Sequence, residues 1–156
     1  MINENKIKRR AQKIEAMATI LNVIATLSVS QTKKVACIAF KDNFSNIASF
    51  GYNGTYPGAP INPETGGEEI SLIPGKSGFL HAEDNMVSKF HERDPENYTV
   101  FVSMSPCREC CIRLINAGFK KIYWLEEYRE CSHLEILKSC GVKYGSISDL
   151  IKNLKS

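Results

Sequence analysis

Residues 98–125 read YTVFVSMSPCRECCIRLINAGFKKIYWL. The opening YTVFVS, at 98–103, is β-branched and aromatic, as a buried strand is. Residues 107–117 follow as a helix that stops at Gly118, and KKIYWL at 120–125 reads as a second strand. Strand, helix and strand in that order call for a parallel pair joined by a right-handed crossover. An α/β fold follows, and the flanks decide how large the sheet is.

Downstream, the pattern predicts a helix over 132–140 ending on Gly141, a strand over 142–145 and a last helix over 147–154. Upstream lies a helix over 81–92. Earlier still, Ile7, Ala11, Ile14, Ala18, Leu21 and Ala25 recur at helical spacing within a long first helix over 6–28. KVACIAFK at 34–41 and NIASF at 46–50 flank an Asp42-Asn43 turn and read as a hairpin. Residues 51–80 hold seven of the ten glycines and Pro57, Pro60, Pro63 and Pro74, which predicts a long loop, of the kind that is usually functional or disordered. The order αββαβαβαβα implies a three-layer α/β/α sandwich on a mixed five-stranded sheet. The first two strands form its antiparallel edge, and residues 1–156 make a single domain.

Composition narrows the class. At 156 residues, 43% apolar and 24% charged, the chain suits one globular core. No apolar run approaches the ~20 residues of a membrane span. The start, MINENKIKRRAQKIE, lacks the apolar core of a secretory signal. Six cysteines without the composition of a disulfide scaffold point to a reducing compartment, with the cytoplasm as the expected location. Residues 1–34 carry seven Lys and Arg against Glu4 and Glu15, whereas residues 35–156 carry thirteen against fifteen. A body balance of −2 does not suit a long polynucleotide, and the basic run KIKRR reads as a solvated helix face.

SPCRECC at 105–111 packs three cysteines into five positions. A C-x-x-C pair is either a redox motif or part of a metal site. Redox motifs of the thioredoxin type follow the first strand, and this one follows the third. Ser105 as N-cap and Pro106 as first helical residue would open a helix here. Cys107 and Cys110 then share one face of its first turn, where free N–H groups favour thiolates and so zinc. Cys111 faces elsewhere and reads as a small buried residue. His81-Ala82-Glu83 completes the set if its helix starts near residue 80, because side chains at a helix start can lean over the open end. His91 and His133 are alternative ligands, but His91 falls late in its helix and His133 lacks an H-x-E partner. His81, Cys107 and Cys110 with one open position make a catalytic rather than a structural zinc site, and Glu83 would manage the protons of a water there.

HAE at 81–83 and PCREC at 106–110 match the H-x-E…P-C-x-x-C signature of the zinc-dependent nucleobase deaminases. Within that superfamily the chain resembles the deoxycytidylate (dCMP) deaminases, on GYNGTYPG at 51–58, HAEDN at 81–85, SPCREC at 105–110 and IYWLEEY at 122–128. The resemblance covers roughly residues 30–145. It implies hydrolytic deamination of dCMP to dUMP, with zinc held by His81, Cys107 and Cys110 and Glu83 as proton shuttle. Asn53 would bind the substrate near its sugar and base, and the backbone around Ala82 and Ser105 would hold the edges of the pyrimidine. It further implies a homo-oligomer, often a hexamer. Residues 52–80 contain no Cys or His, so one zinc per chain is expected. Tyr56 before Pro57-Gly58 departs from the family's usual GYNG-x-P-x-G.

Three readings compete: dCMP deamination, deamination of free cytidine or deoxycytidine, and a non-catalytic protein stapled by zinc. A monophosphate substrate needs cations. Lys33, Lys34, Lys76 and Arg108 are the candidates by position, although Glu64, Glu68 and Glu69 make the long loop acidic.

Overall fold

The computed structural model of the chain describes residues 3–59, 78–128 and 131–156. Helix α1 (Glu4–Ala25) leads into strands β1 (Ala36–Lys41) and β2 (Ile47–Tyr52), then a small pair, β3 (Gly54–Thr55) and β4 (Phe79–Leu80). There follow α2 (Ala82–Ser88), β5 (Tyr98–Met104), α3 (Arg108–Asn116) and β6 (Lys121–Glu126). The chain continues through α4 (Glu135–Ser139), β7 (Lys143–Ser146) and α5 (Ile147–Lys155).

The main sheet runs β2-β1-β5-β6-β7. β5, β6 and β7 are parallel, and β1 and β2 form the antiparallel edge. The sequence pattern did not predict the pairing of β1 with β5, which is also antiparallel. Because β1 lies between β2 and β5, those two strands run the same way without touching.

Side-chain alternation sorts the sheet into two faces. Cys37, Ala39, Val100, Val102, Ile122 and Trp124 point towards α2, α3 and α4, packing on Met86, Leu114 and Leu137. Ala36, Ile38, Phe40 and Phe101 point the other way, onto Ile14 and Leu21 of α1 and Ile147 of α5. The sheet is thus covered on both faces, in three layers.

Several boundaries differ from the sequence pattern. Helix α2 stops at Ser88 rather than at 92, and Phe90 turns inward against Tyr98 and Phe119 at 5.1 and 4.9 Å between ring centroids. The helix expected over 132–140 splits into a 3-10 turn, Ser132–Leu134, and α4. Part of the segment read as loop pairs: Gly54 with Leu80 and Thr55 with Phe79. Within it Tyr56-Pro57-Gly58-Ala59 forms a turn closed by a 3.1 Å bond from Ala59 N to Tyr56 O. Pro57 and Gly58 (φ 80°) suit the central positions of a type II turn. Lys76, Glu64, Glu68 and Glu69 lie outside the described residues.

Candidate active site

Helices α2 and α3 both start beside the C-terminal end of β5, and each offers its N-cap residue to the same point. His81 caps α2 in an extended conformation (φ −74°, ψ 154°) and makes no side-chain capping bond, so its imidazole is free to face α3. Cys107 does the same for α3 (φ −70°, ψ 169°). The expected cap, Ser105, lies two residues earlier. Its N–H extends the ladder to Glu126 O at 2.8 Å and its Oγ accepts from Tyr128 N at 2.7 Å. Those bonds keep Ser105 with the strand and delay the helix to Arg108.

His81 Nδ1 stands 3.6 Å from Cys107 Sγ and 3.3 Å from Cys110 Sγ. The three ligand atoms lie within 4.8 Å of one another. A tetrahedral zinc with Zn–S of about 2.3 Å and Zn–N of about 2.0 Å places N and S roughly 3.5 Å apart. One imidazole and two thiols at these separations therefore fit that ion. Protonation is already biased: the Cys110 thiol hydrogen-bonds to Cys107 and pulls the Cys107 pKa down to about 3. His81 is raised to about 9, chiefly by its hydrogen bond with Cys107. The same pairing with Cys107 raises Cys110.

Glu83 sits in the first turn of α2 and is 4% exposed. Burial pushes its carboxyl up to about 7, against the pull of its own backbone N–H. Together with His81 and Cys107 it borders a cavity of about 160 Å³ walled by Val35, Asn53, Ala82, Met104 and Ser105. Asn53, His81, Ala82, Glu83, Ser105 and Cys107 thus line one cavity, and Cys110 lies beside it, 3.3 Å from His81. The alternative ligands do not join them. His91 is exposed. His133 Nε2 donates instead to the Pro106 carbonyl at 2.8 Å, immediately before Cys107.

Asn53 lines the cavity and also holds its rim together. Its Oδ1 accepts from Val35 N at 2.9 Å and from Ser28 Oγ at 2.7 Å, and its Nδ2 donates to Lys33 O at 2.8 Å. The motifs at 51–54 and 81–85 are likewise one unit. Asn85 Nδ2 donates to Tyr52 O at 2.7 Å. A Cβ on Gly51 would lie 2.5 Å from Ala82 O and from Met86 N, so only glycine lets α2 close onto β2. Arg113 of α3 pairs with Asp84 of α2, joining the two helices directly. Cys111 is fully buried in the core behind the site. The supporting roles of Gly51, Asn85 and His133 escape a reading of spacing alone, because their partners are distant in sequence.

Residues 10–126 match the family described as the cytidine and deoxycytidylate deaminase zinc-binding region. The chain is 29% identical over 121 residues to an uncharacterized deaminase in the luxG 3′ region of Aliivibrio fischeri, across 78% of this chain and 76% of that one. It is 25% identical over 130 residues to the deoxycytidylate deaminase of Saccharomyces cerevisiae, across 76% of this chain but 41% of the yeast protein. The chain therefore spans about two fifths of that relative's length. The crystal structure of dCMP deaminase from the cyanophage S-TIM5 in complex with dCMP and dUMP matches with a TM-score of 0.69. Identity there is 27%, over 85% of this chain and 94% of that one.

Proposed function

The chain belongs to the cytidine and deoxycytidylate deaminase zinc-binding family, and on that footing we propose that it hydrolyses dCMP to dUMP and ammonia. One observation carries the reading: a buried carboxyl, Glu83, shares a small cavity with three converging zinc-type ligands. The dCMP and dUMP bound by the cyanophage relative support the choice of substrate. A zinc that only stapled the fold would not need a buried, protonatable carboxyl beside it.

His81, Cys107 and Cys110 would hold one zinc. Bound there, the ion supplies the Lewis acidity that brings the pKa of a water towards about 7. Glu83 moves the protons: its carboxylate takes one from the attacking water and delivers it to ring N3, which makes C4 a better electrophile. A second delivery, to the amino nitrogen, lets ammonia leave. One carboxyl can serve as base and then acid, and a pKa raised by burial suits both tasks near neutral pH. The Ala82 N–H, in the first turn of α2, has no acceptor within its helix and can donate to the pyrimidine carbonyl. The Ser105 N–H is committed to Glu126, so the Ser105 carbonyl is the group left to accept from the substrate's amino group. Asn53 orients the sugar while its amide braces Lys33 and Val35.

For the phosphate, Lys33 is the candidate placed best, since its carbonyl is fixed by Asn53 on the cavity rim. Its Nζ pairs with Glu126 Oε2 at 2.7 Å, and a dianionic phosphate would compete with that carboxylate. Residues 1–156 act as one domain in this reading. Ile20, Val23 and Leu27, exposed along one side of the end of α1 and the turn after it, support assembly into a homo-oligomer, for which the resemblance suggests a hexamer. Six cysteines free of disulfides support a cytoplasmic setting. Among the described residues no helix is long and apolar enough to cross a membrane.

The test is ammonia release from dCMP, deoxycytidine, dCTP and single-stranded DNA, with metal content measured on the same samples. The expected result is one zinc per chain and the highest kcat/KM for dCMP at low and moderate salt. Equal values for deoxycytidine would make the protein a nucleoside deaminase. Glu83→Gln should keep zinc and lose turnover by about two to four orders of magnitude; activity within tenfold of the parent would remove Glu83 as shuttle. Cys110→Ser should lose zinc and Cys111→Ser keep it, and retention in both would overturn the ligand set.

A further inference from the structure

The geometry points to a second binding site, for the phosphate chain of a small polyphosphate anion, at the opposite end of the sheet from the zinc ligands. It lies between the first half of α1 and the β1–β2 turn and is independent of the deaminase reading. The two ends are distinct because Lys41, where β1 ends, pairs with Tyr98 at the start of β5, whereas Cys107 and Cys110, with His81 beside them, follow the end of β5.

Lys6, Arg9, Arg10 and Lys13 are spaced i, i+3, i+4 and i+7, which places all four on one side of α1 over about 10 Å of helix. With Asn43 and Phe44 they line a cleft of about 410 Å³. The acidic residues of the helix are sorted away from it. Glu4 and Glu15 lie about 180° round the helix axis and border a different cleft with Lys8 and Lys155. None of the four cations has an ion-pair partner among the described residues, although Lys33, Arg113, Lys121 and Lys152 each have one. Asp42, the carboxylate in the adjoining turn, is already occupied by Lys121 and by Thr99 Oγ1 at 2.8 Å.

The cleft is also pre-shaped. Arg10 and Lys13 are held over the Phe44 ring, 5.4 and 5.7 Å from its centroid. Phe44 itself stacks on Phe40 at 5.4 Å and keeps a left-handed backbone (φ 63°) that a non-glycine residue seldom adopts. Two cations are thus fixed in place before a ligand arrives, which lowers the ordering cost of binding. The same arrangement decides the ligand class. Phe44 is taken up by Phe40 and the two cations, so the cleft offers no aromatic platform on which a base could stack, as a single-strand binder requires. What remains is a short row of donors matched to adjacent phosphates.

The probe is inorganic tripolyphosphate, titrated calorimetrically into the full chain at low salt. The parent should bind one equivalent. Lys6→Gln with Arg9→Gln, both exposed and outside the core, should weaken binding at least tenfold. Lys8→Gln with Lys155→Gln removes the same charge from the other side of the helix and should change binding less than twofold. ATP should bind the parent as tripolyphosphate does, since the base adds nothing. No binding by the parent, equal loss in the two double variants, or full retention in Lys6→Gln with Arg9→Gln would overturn the site. A single-stranded oligonucleotide bound more tightly than tripolyphosphate would assign the stripe to nucleic acid instead.

Discussion

Helix α2 is seated by backbone contact. Gly51 meets Ala82 O and Met86 N with no room for a methyl group, and two side-chain bonds support that contact, Asn85 Nδ2 to Tyr52 O and Ser49 Oγ to Met86 O at 2.6 Å. Helix α3 is seated by polar bonds: Ser105 holds Glu126 and Tyr128, and His133 holds the Pro106 carbonyl. Both arrangements deliver an N-cap side chain to the same point, His81 from one side and Cys107 from the other. They should fail differently. A steric seat admits one residue, whereas a hydrogen-bonded seat accepts any side chain that returns a donor to the same place.

Gly51→Ala should have the largest effect. The added methyl would stand 2.5 Å from backbone atoms of α2, which cannot rotate away as a side chain can, so the helix must shift. Overpacking of this kind costs about 1–3 kcal/mol, or roughly 2–4 °C of Tm per kcal/mol for a chain of this size. Thermal melting and zinc content should fall together, because α2 carries His81 and Glu83. A variant that melts with the parent and binds zinc normally would show that α2 is not held sterically.

His133→Ala tests the polar seat. It removes one neutral hydrogen bond, worth about 1 kcal/mol, from the carbonyl next to Cys107. Zinc affinity, measured by chelator competition, should drop about fivefold. His133→Gln returns an N–H donor and should recover most of it. Equal loss in both variants would mean that the ring, not its hydrogen bond, seats Cys107.

These two seats mark where the sequence was legible. The three-layer fold followed from local pattern: short apolar, β-branched runs in β1 and β5, helical spacing in α1, and terminators at Gly118 and Gly141. The grouping of His81, Cys107 and Cys110 was legible because C-x-x-C and H-x-E are local patterns that a helix start can bring together. The seats involve partners far apart in sequence, such as Gly51 with Met86 and His133 with Pro106. Spacing carries no trace of such pairs. Local pattern therefore offers His133 only as a ligand, and the family resemblance offers Asn53 only as a substrate contact, although the Asn53 amide also ties Ser28, Lys33 and Val35. Ser105 misled for the related reason that N-cap chemistry is a local preference. The long-range bonds to Glu126 and Tyr128 outweigh it.

The smallest effect should come from the contact that spans both helices. Arg113 of α3 and Asp84 of α2 are paired, but the arginine side chain is 51% exposed. Water and ions compete at such a site, and half-exposed pairs are typically worth 0–1 kcal/mol. Arg113→Ala should therefore lower Tm by no more than about 4 °C. The size matters less than the salt response. At 1 M salt the screening length contracts to about 3 Å, and the difference between parent and variant should shrink towards zero. The losses in Gly51→Ala and His133→Ala come from contact and from a neutral hydrogen bond, so they should persist at the same salt. A salt-independent loss in Arg113→Ala would mean that its aliphatic stem packs the two helices together and that its charge contributes little. The seam between the helices would then be held by packing on both sides, and the contrast between the two seats would be confined to the residues next to the ligands.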